Sequence, residues 1–306
     1  MYKFNHILVA LDHSDLDIEL IQAASFFAKI SETKKICFIH VVRDVSIPDS
    51  VKKEFPDMVK NALKDRKKEF EALVHQHFTF KKAKVNIIVS SGQPTKEIMK
   101  TAEKNEVDVI LMGRKSEKKS TGVLINRLTR RASCSLLIIP RGYKKRVDKI
   151  LVPIDFSDYS SGAMKQAVDL AEKNLPDVKI FVQNVFRVPM GYHYTGKSFQ
   201  EFARIMKENA EKDYLNFMKD IDTKGIHVEP MYTLDKEDNT IDAIYNTAKK
   251  LDVDAIVVGA KGRTTASALF IGSSAERLVQ KQEDIPLMVV RPKDEQAGFI
   301  DFIKEI

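Results

Sequence analysis

The chain has 306 residues, 43% of them hydrophobic and 30% charged, with 12 Gly and 10 Pro; this is the make-up of one large or two ordinary folded domains and excludes a disordered or collagen-like chain. Its two cysteines, Cys37 and Cys134, show neither metal-ligand spacing nor a disulfide framework. No apolar run approaches a membrane span and Met1 to Leu11 reads as a strand without a cleavable signal, so a reducing cytoplasm is expected.

The net charge of +7 is uneven, because residues 1–146 carry 29 basic and 17 acidic side chains whereas residues 147–306 carry 21 and 26. From Arg114 to Arg146 there are 11 basic residues and a single acid, Glu117. Such a run is either a solvated surface or a face for a polyanion.

Taken in chain order, short apolar runs predict buried strands at Ile7–Leu11, Lys35–Val42, Val85–Val89, Val109–Met112 and Leu136–Ile139. After the first, Ile18, Ile21, Ala24, Phe27 and Ala28 recur at helical spacing behind a candidate cap at Ser14, and a long helix is expected over Val51–His77. The order then starts again. His6-Ile7-Leu8-Val9-Ala10-Leu11-Asp12-His13-Ser14 returns as Lys149-Ile150-Leu151-Val152-Pro153-Ile154-Asp155-Phe156-Ser157, and Val107–Gly113 returns as Val253–Gly259. The second set of strands is Ile150–Ile154, Ile180–Phe186, His227–Tyr232, Ala255–Val258 and Leu287–Val290, with a long helix over Ser198–Ile221 and caps at Asp158 and at Asn239 or Thr240.

So long a repeat is a domain rather than a solenoid unit. The chain therefore reads as a tandem duplication of residues 1–146 and 147–292 with a tail of 293–306. Alternating β and α predicts an α/β fold of two tandem Rossmann-like doubly wound domains, each a five-stranded parallel sheet with four helices. Ligands of such sheets bind beyond the strand C-termini, where the winding direction reverses.

At that edge of the second half, Gly259-Ala260-Lys261-Gly262-Arg263 follows the fourth strand and Gly272-Ser273-Ser274-Ala275-Glu276 opens a helix. Glycines there let main chain approach a bound phosphate, the free N–H groups of a first helical turn attract anions, and Ser273 and Ser274 offer hydroxyl donors. Asp155, at the tip of the first strand, is placed to accept hydrogen bonds from ribose hydroxyls. The same residues admit a purely structural reading. Ser273-x-x-Glu276 is a capping box, Asp155 with Ser157 can cap its own turn, and Gly259 and Gly262 can serve a tight loop.

Gly259-x2-Gly262-x9-Gly272-Ser273, with Pro153-Ile154-Asp155 at the first strand's end, resembles the pattern of nucleotide-binding members of the universal stress protein family. The resemblance covers both halves. It implies ATP as ligand, usually with a divalent ion such as Mg2+, held by Pro153, Asp155, Val185, Val258, Gly259, Lys261, Gly262, Gly272, Ser273 and Ser274. By that similarity Asp155 contacts ribose or adenine, Val185 lines the adenine pocket, Val258 and Gly259 abut ribose and triphosphate, and Gly262, Gly272, Ser273 and Ser274 hold phosphates. It also implies that the two domains pair as a pseudo-dimer through their last strands, with a further homodimer in keeping.

The first half departs from the pattern. Gly113 is kept, but Ser116, Asn126 and Arg127 stand where Gly262, Gly272 and Ser273 stand. An Arg at a helix start opposes the helix dipole, so a weakened or lost ATP site is expected, although Asp12 remains for a ribose. The alternative is that Arg114, Lys115, Lys118, Lys119 and Arg127 take a different anion.

No Gly-x4-Gly-Lys-Ser/Thr loop is present, His75 and His77 point different ways on their predicted helix, and no base-oriented nucleophile or close carboxylate pair stands out. No catalytic or metal residues are assigned. The leading expectation is an ATP-binding regulatory protein of the stress response, whose occupied second half controls conformation or contacts with a protein partner. Its rivals are a nucleic-acid or polyanion module acting through the Arg114–Arg146 face, and a slow ATPase. Two segments remain: the loop Pro189–Lys197, whose Tyr192, His193 or Tyr194 either covers a base or partner or is plain surface, and the apolar tail Gly298–Ile306, suited to docking.

Overall fold

The computed structural model describes residues 4–43, 48–115, 121–174, 177–262, 271–281 and 284–291. They divide into two compact units at the Lys145–Arg146 junction. The tail from residue 293, with the docking segment Gly298–Ile306, lies outside the described residues.

In the first unit, β1 (His6–Leu11), β2 (Lys35–Arg43), β3 (Lys84–Gly92), β4 (Val109–Arg114) and β5 (Ser135–Pro140) form a parallel sheet in the order β3-β2-β1-β4-β5. Helices α1 (Leu16–Ile30), α2 (Asp49–Glu54), α3 (Met58–His77), α4 (Pro94–Lys104) and α5 (Thr121–Arg131) connect the strands. Strands covered on both faces must be apolar throughout, and Ile7, Leu8, Val9 and Val109 to Met112 are all buried. The edge strand β3 has no such demand and opens with exposed Lys84, Val85 and Asn86.

Three local expectations are corrected here. The stripe of α1 is centred on Leu16, Leu20, Ile21, Ala24 and Phe27, while Ile18 is 37% exposed. The long helix predicted from Val51 to His77 is broken between α2 and α3, because Pro56 disfavours helical backbone at Phe55, which sits at φ −126, ψ 66. Ser14 does not cap α1; its hydroxyl donates to Asp12 at 2.6 Å, and Asp15 takes the cap position without a side-chain bond.

The second unit repeats the plan. Strands β6 (Lys149–Ile154), β7 (Lys179–Phe186), β8 (His227–Leu234), β9 (Ala255–Gly259) and β10 (Leu287–Val290) run parallel in the order β8-β7-β6-β9-β10. Helices α6 (Asp158–Asn174), α7 (Phe199–Met218), α8 (Thr240–Leu251) and α9 (Ser273–Lys281) join them. Asp158 is the first residue of α6 rather than its cap; the Ser157 hydroxyl accepts the Ser160 N–H at 3.3 Å and does that work. Asn239 caps α8 as expected, accepting the Asp242 N–H at 3.2 Å. Both units are thus Rossmann-like, doubly wound parallel sheets, with β1 beside β4 and β6 beside β9 at the two points where the winding reverses.

Candidate functional site

In the second unit the winding reverses between the ends of β6 and β9. Pro153 and Ile154 are buried in β6, and the chain then turns through Asp155 and Phe156, the latter left-handed at φ 64. His13 occupies the same place in the first unit at φ 63, an unusual conformation for a residue with a Cβ. Asp155 is held firmly. Its Oδ1 accepts the hydroxyls of Ser157 at 2.6 Å and Ser160 at 2.7 Å and the Ser157 N–H at 3.2 Å, while its own N–H donates to Ser160 Oγ at 3.0 Å. The other oxygen faces the loop after β9, since a Cβ on Gly262 would lie 2.5 Å from Oδ2.

Each glycine of the motif stands where chain passes chain. A Cβ on Gly259 would come within 2.6 Å of the Tyr159 carbonyl oxygen in α6, and one on Gly272 within 3.1 Å of Lys261 Cα and 3.2 Å of the Gly262 nitrogen. The Gly272 N–H donates to the Ala260 carbonyl at 2.8 Å, and its own carbonyl accepts the Glu276 N–H at 3.0 Å. Gly272 is therefore the N-cap of α9 and Ser273 its first helical residue, which removes the capping-box reading of Ser273 and Glu276. Ser273 and Ser274, both exposed, present the first turn of α9.

Val258 and Lys261 are buried, and the Lys261 ammonium donates to Tyr159 Oη at 2.5 Å, 4.7 Å from the ring centroid. Val185 is half-buried on β7, next to Asn184, whose Nδ2 donates to the Ile154 carbonyl at 3.1 Å and ties the two strands at their ends. Asp155, Gly262, Lys261 and Gly272 are brought together; Val185 lies on the neighbouring strand. Sequence reasoning missed Ser160, Tyr159 and Asn184. A signal for Asn184 existed, since Gln183-Asn184 interrupts an otherwise apolar strand, as His40 does in β2.

In the first unit described side chains meet one another at the corresponding edge. Lys115 bridges to Asp12 at 2.6 Å. The His40 ring nitrogen Nδ1 donates to the Leu11 carbonyl at 3.0 Å, the place Asn184 takes in the second unit, and Phe70 of α3 stacks on the imidazole at 4.6 Å. His13 meets Phe70 edge-on at 5.8 Å, and Arg66 contacts both His13 and Glu69. Asp17 replaces Ser160, accepting the N–H groups of Asp12 at 3.1 Å and His13 at 2.8 Å. Burial pushes the Asp17 carboxyl up to about 6 despite those bonds. Burial likewise pulls the His40 imidazole below its ordinary value.

Among the described residues the basic run is not one open face; Lys118 and Lys119 lie outside them. Arg114 is buried, Arg141 pairs with Asp15 at 2.9 Å, and Arg146 pairs with Asp254 at 2.8 Å. In the loop after β7, a short turn at Tyr192–Thr195 is bounded by left-handed Gly191 and Gly196; Tyr192 packs on Phe199 of α7 at 5.6 Å, and Met190 and Tyr194 are exposed. Among the described residues no helix is long and apolar enough to cross a membrane, and no group of three or more His, Cys, Asp or Glu is arranged to hold a metal ion.

The family model of the universal stress protein family matches twice, over residues 3–140 and 146–291. Two universal stress proteins of Methanocaldococcus jannaschii are similar: MJ0531 is 28% identical over 149 residues, 48% of this chain and 84% of its own, and MJ0577 is 26% identical over 159 residues, 48% and 96%. Among solved structures, a universal stress protein of Archaeoglobus fulgidus aligns with TM-score 0.63 at 17% identity, over 96% of this chain and 98% of its own. A functionally unknown protein of Pseudomonas aeruginosa PAO1 aligns with TM-score 0.65 at 16% identity, over 100% and 99%. These two share the fold. With both units matched, the chain belongs to the universal stress protein family as a tandem two-domain member.

Proposed function

We propose that the second unit binds ATP and that its occupancy sets the conformation or protein contacts of a regulatory protein of the stress response, acting in the cytoplasm. The observation that carries this reading is the meeting of Asp155 Oδ2 with the Gly262 backbone, 2.5 Å from where a Cβ would stand. A carboxylate suited to ribose hydroxyls and a glycine loop suited to phosphates then share one spot, in front of the first turn of α9. Pro153, Val185, Val258, Gly259, Lys261, Gly272, Ser273 and Ser274 complete the set. Gly259, Gly262 and Gly272 leave no room for a Cβ, which would meet Tyr159, Asp155 and Lys261, so the loop packs close against α6 and the start of α9 with its main chain bare toward a ligand. Mg2+ would ride on the nucleotide's phosphates, as is usual for this ion.

The first unit does not bind ATP in this reading, because Lys115 neutralises Asp12 and His40 with Phe70 occupies the space beside it. The units serve as domains of residues 1–146 and 147–292 paired as a pseudo-dimer.

The test is to denature protein purified without added nucleotide, identify what is released, and titrate ATP by calorimetry with and without Mg2+. One adenine nucleotide per chain, lost in Gly272→Asp, is expected. Protein that neither carries nor binds ATP would refute the reading.

A further inference from the structure

At the opposite edge of the first unit, where β1, β2 and β3 begin, lies an open cavity of about 510 Å3 lined by His6, Lys35, Lys84, Asn86, Lys104 and Glu106 among others. The register places His6 beside Lys35 and Lys35 beside Lys84, so the three stand in one row across adjacent strands and on one face of the sheet. Parallel strands are about 4.8 Å apart, and like charges side by side at that spacing repel. Lys104, the last residue of α4, adds a third ammonium above the row, since α4 packs against β2 and β3. None of the ion pairs among the described residues takes up Lys35, Lys84 or Lys104, and Glu106 is the one acid lining the cavity.

The second unit handles the same row differently. There Lys149, Lys179 and His227 stand side by side, and Lys149 Nζ, in the place of His6, donates to the Leu251 carbonyl at 2.8 Å, so that ammonium is satisfied within the fold and the row holds one lysine fewer on its outer strands. The cavity of the first unit brings three ammonium groups together with a single carboxylate.

We propose that this cavity is a second ligand site, independent of the nucleotide site, for a compact phosphate-bearing anion seated between Lys35, Lys84 and Lys104. Lysine ammonium groups act as point charges on phosphate without demanding the planar geometry of arginine. The amide of Asn86 offers directional bonds beside them. The volume is that of a small-metabolite pocket rather than a macromolecular surface.

His6 is a built-in reporter of occupancy. Burial, and after it the charge of Lys35, holds its imidazole below the ordinary value, against the Asn105 carbonyl, Asp108 and Glu106, which raise it. An anion that neutralises Lys35 raises it.

The experiment is a pyrophosphate titration of the full chain at constant ionic strength, followed by calorimetry and by the His6 imidazole NMR signal across pH, assigned with His6→Gln. Saturable binding is expected, weakened tenfold or more in Lys35→Gln and in Lys84→Gln, with the His6 titration moved to higher pH. Gly272→Asp, in the other unit, leaves both effects in place. Lys104→Gln, at a helix end, supplies the same reading should a strand variant lower the melting temperature. An unmoved His6 titration, affinity unchanged in the lysine variants, or citrate bound as tightly as pyrophosphate would overturn the assignment.

Discussion

Gly262→Ala tests the site at its closest contact. The new Cβ would lie 2.5 Å from Asp155 Oδ2, so the carboxylate must retreat by about 1 Å to reach ordinary van der Waals separation. It is not free to do so, because Oδ1 is fixed by Ser157 Oγ at 2.6 Å and Ser160 Oγ at 2.7 Å. Hydrogen bonds to a charged group contribute about 1.5–3 kcal/mol each. Moving Asp155 off the ligand should therefore cost one such bond, or roughly ten- to a hundred-fold in ATP affinity, read by calorimetry. Gly259→Ala is the contrasting control. Its Cβ meets the Tyr159 backbone, carbonyl oxygen at 2.6 Å and carbon at 2.7 Å, which cannot rotate away, so its first effect is a lowered melting temperature. Unchanged ATP affinity in Gly262→Ala would refute this account of the glycine, whatever Gly259→Ala does.

Other consequences concern the first unit and the thiols. Asp17, raised from 3.8 to about 6 by burial, binds its proton more tightly folded than unfolded. It therefore costs stability that accumulates as pH rises from about 4 to about 6 and is constant above, roughly 3 kcal/mol at 1.36 kcal/mol per unit. Asp17→Asn should gain on the wild type by about that amount over this window in urea unfolding, and a pH-independent difference would contradict the burial argument. Phe70, buried and stacked on His40, should cost about 3–5 kcal/mol of first-unit stability when changed to Ala, with ATP binding unaffected. Cys37, whose thiol burial pushes up to about 12, and buried Cys134 should react with a thiol reagent only as the chain opens; fast labelling of native protein would show the first unit to be loosely packed.

Much of this was legible in the sequence because the forces involved are periodic. Strands covered on both faces must be apolar throughout, so β1, β4, β6 and β9 announced themselves, and the repeat supplied each twice. The glycine spacing located the loop that meets Asp155. Contacts between residues far apart in sequence were illegible. Nothing near Lys261 tells that its ammonium reaches Tyr159, 102 residues earlier, and nothing in Lys35 or Lys84 tells that they are neighbours until the β2–β3 register is known. Ser14 failed as a cap for a related reason: the Asp17 N–H that its hydroxyl would have to accept donates to the Ser14 carbonyl instead, at 3.0 Å.

The comparison of the two units yields a last prediction. Lys115 and Lys261 occupy equivalent positions after β4 and β9, yet Lys115 lies on Asp12 while Lys261 donates to Tyr159 Oη. The difference traces to α1 and α6, where Leu16 stands in the place of Tyr159. A leucine offers the ammonium no acceptor, so in the first unit the lysine turns to the nearby carboxylate. The tyrosine offers both a hydroxyl and a ring face, and thereby holds the second lysine away from the role it plays in the first. Tyr159→Leu should make the second unit behave like the first: Lys261 pairs with Asp155, and ATP must break that pair to bind. The expected loss is about fivefold in affinity, since a partly exposed ion pair of this kind is worth on the order of 1 kcal/mol. Tyr159→Phe, which keeps the ring, should lose less, and adding Lys261→Met to Tyr159→Leu should restore part of what the leucine removed. If the double variant binds no better than Tyr159→Leu alone, the lysine is not the intermediary and Tyr159 acts through packing against Gly259.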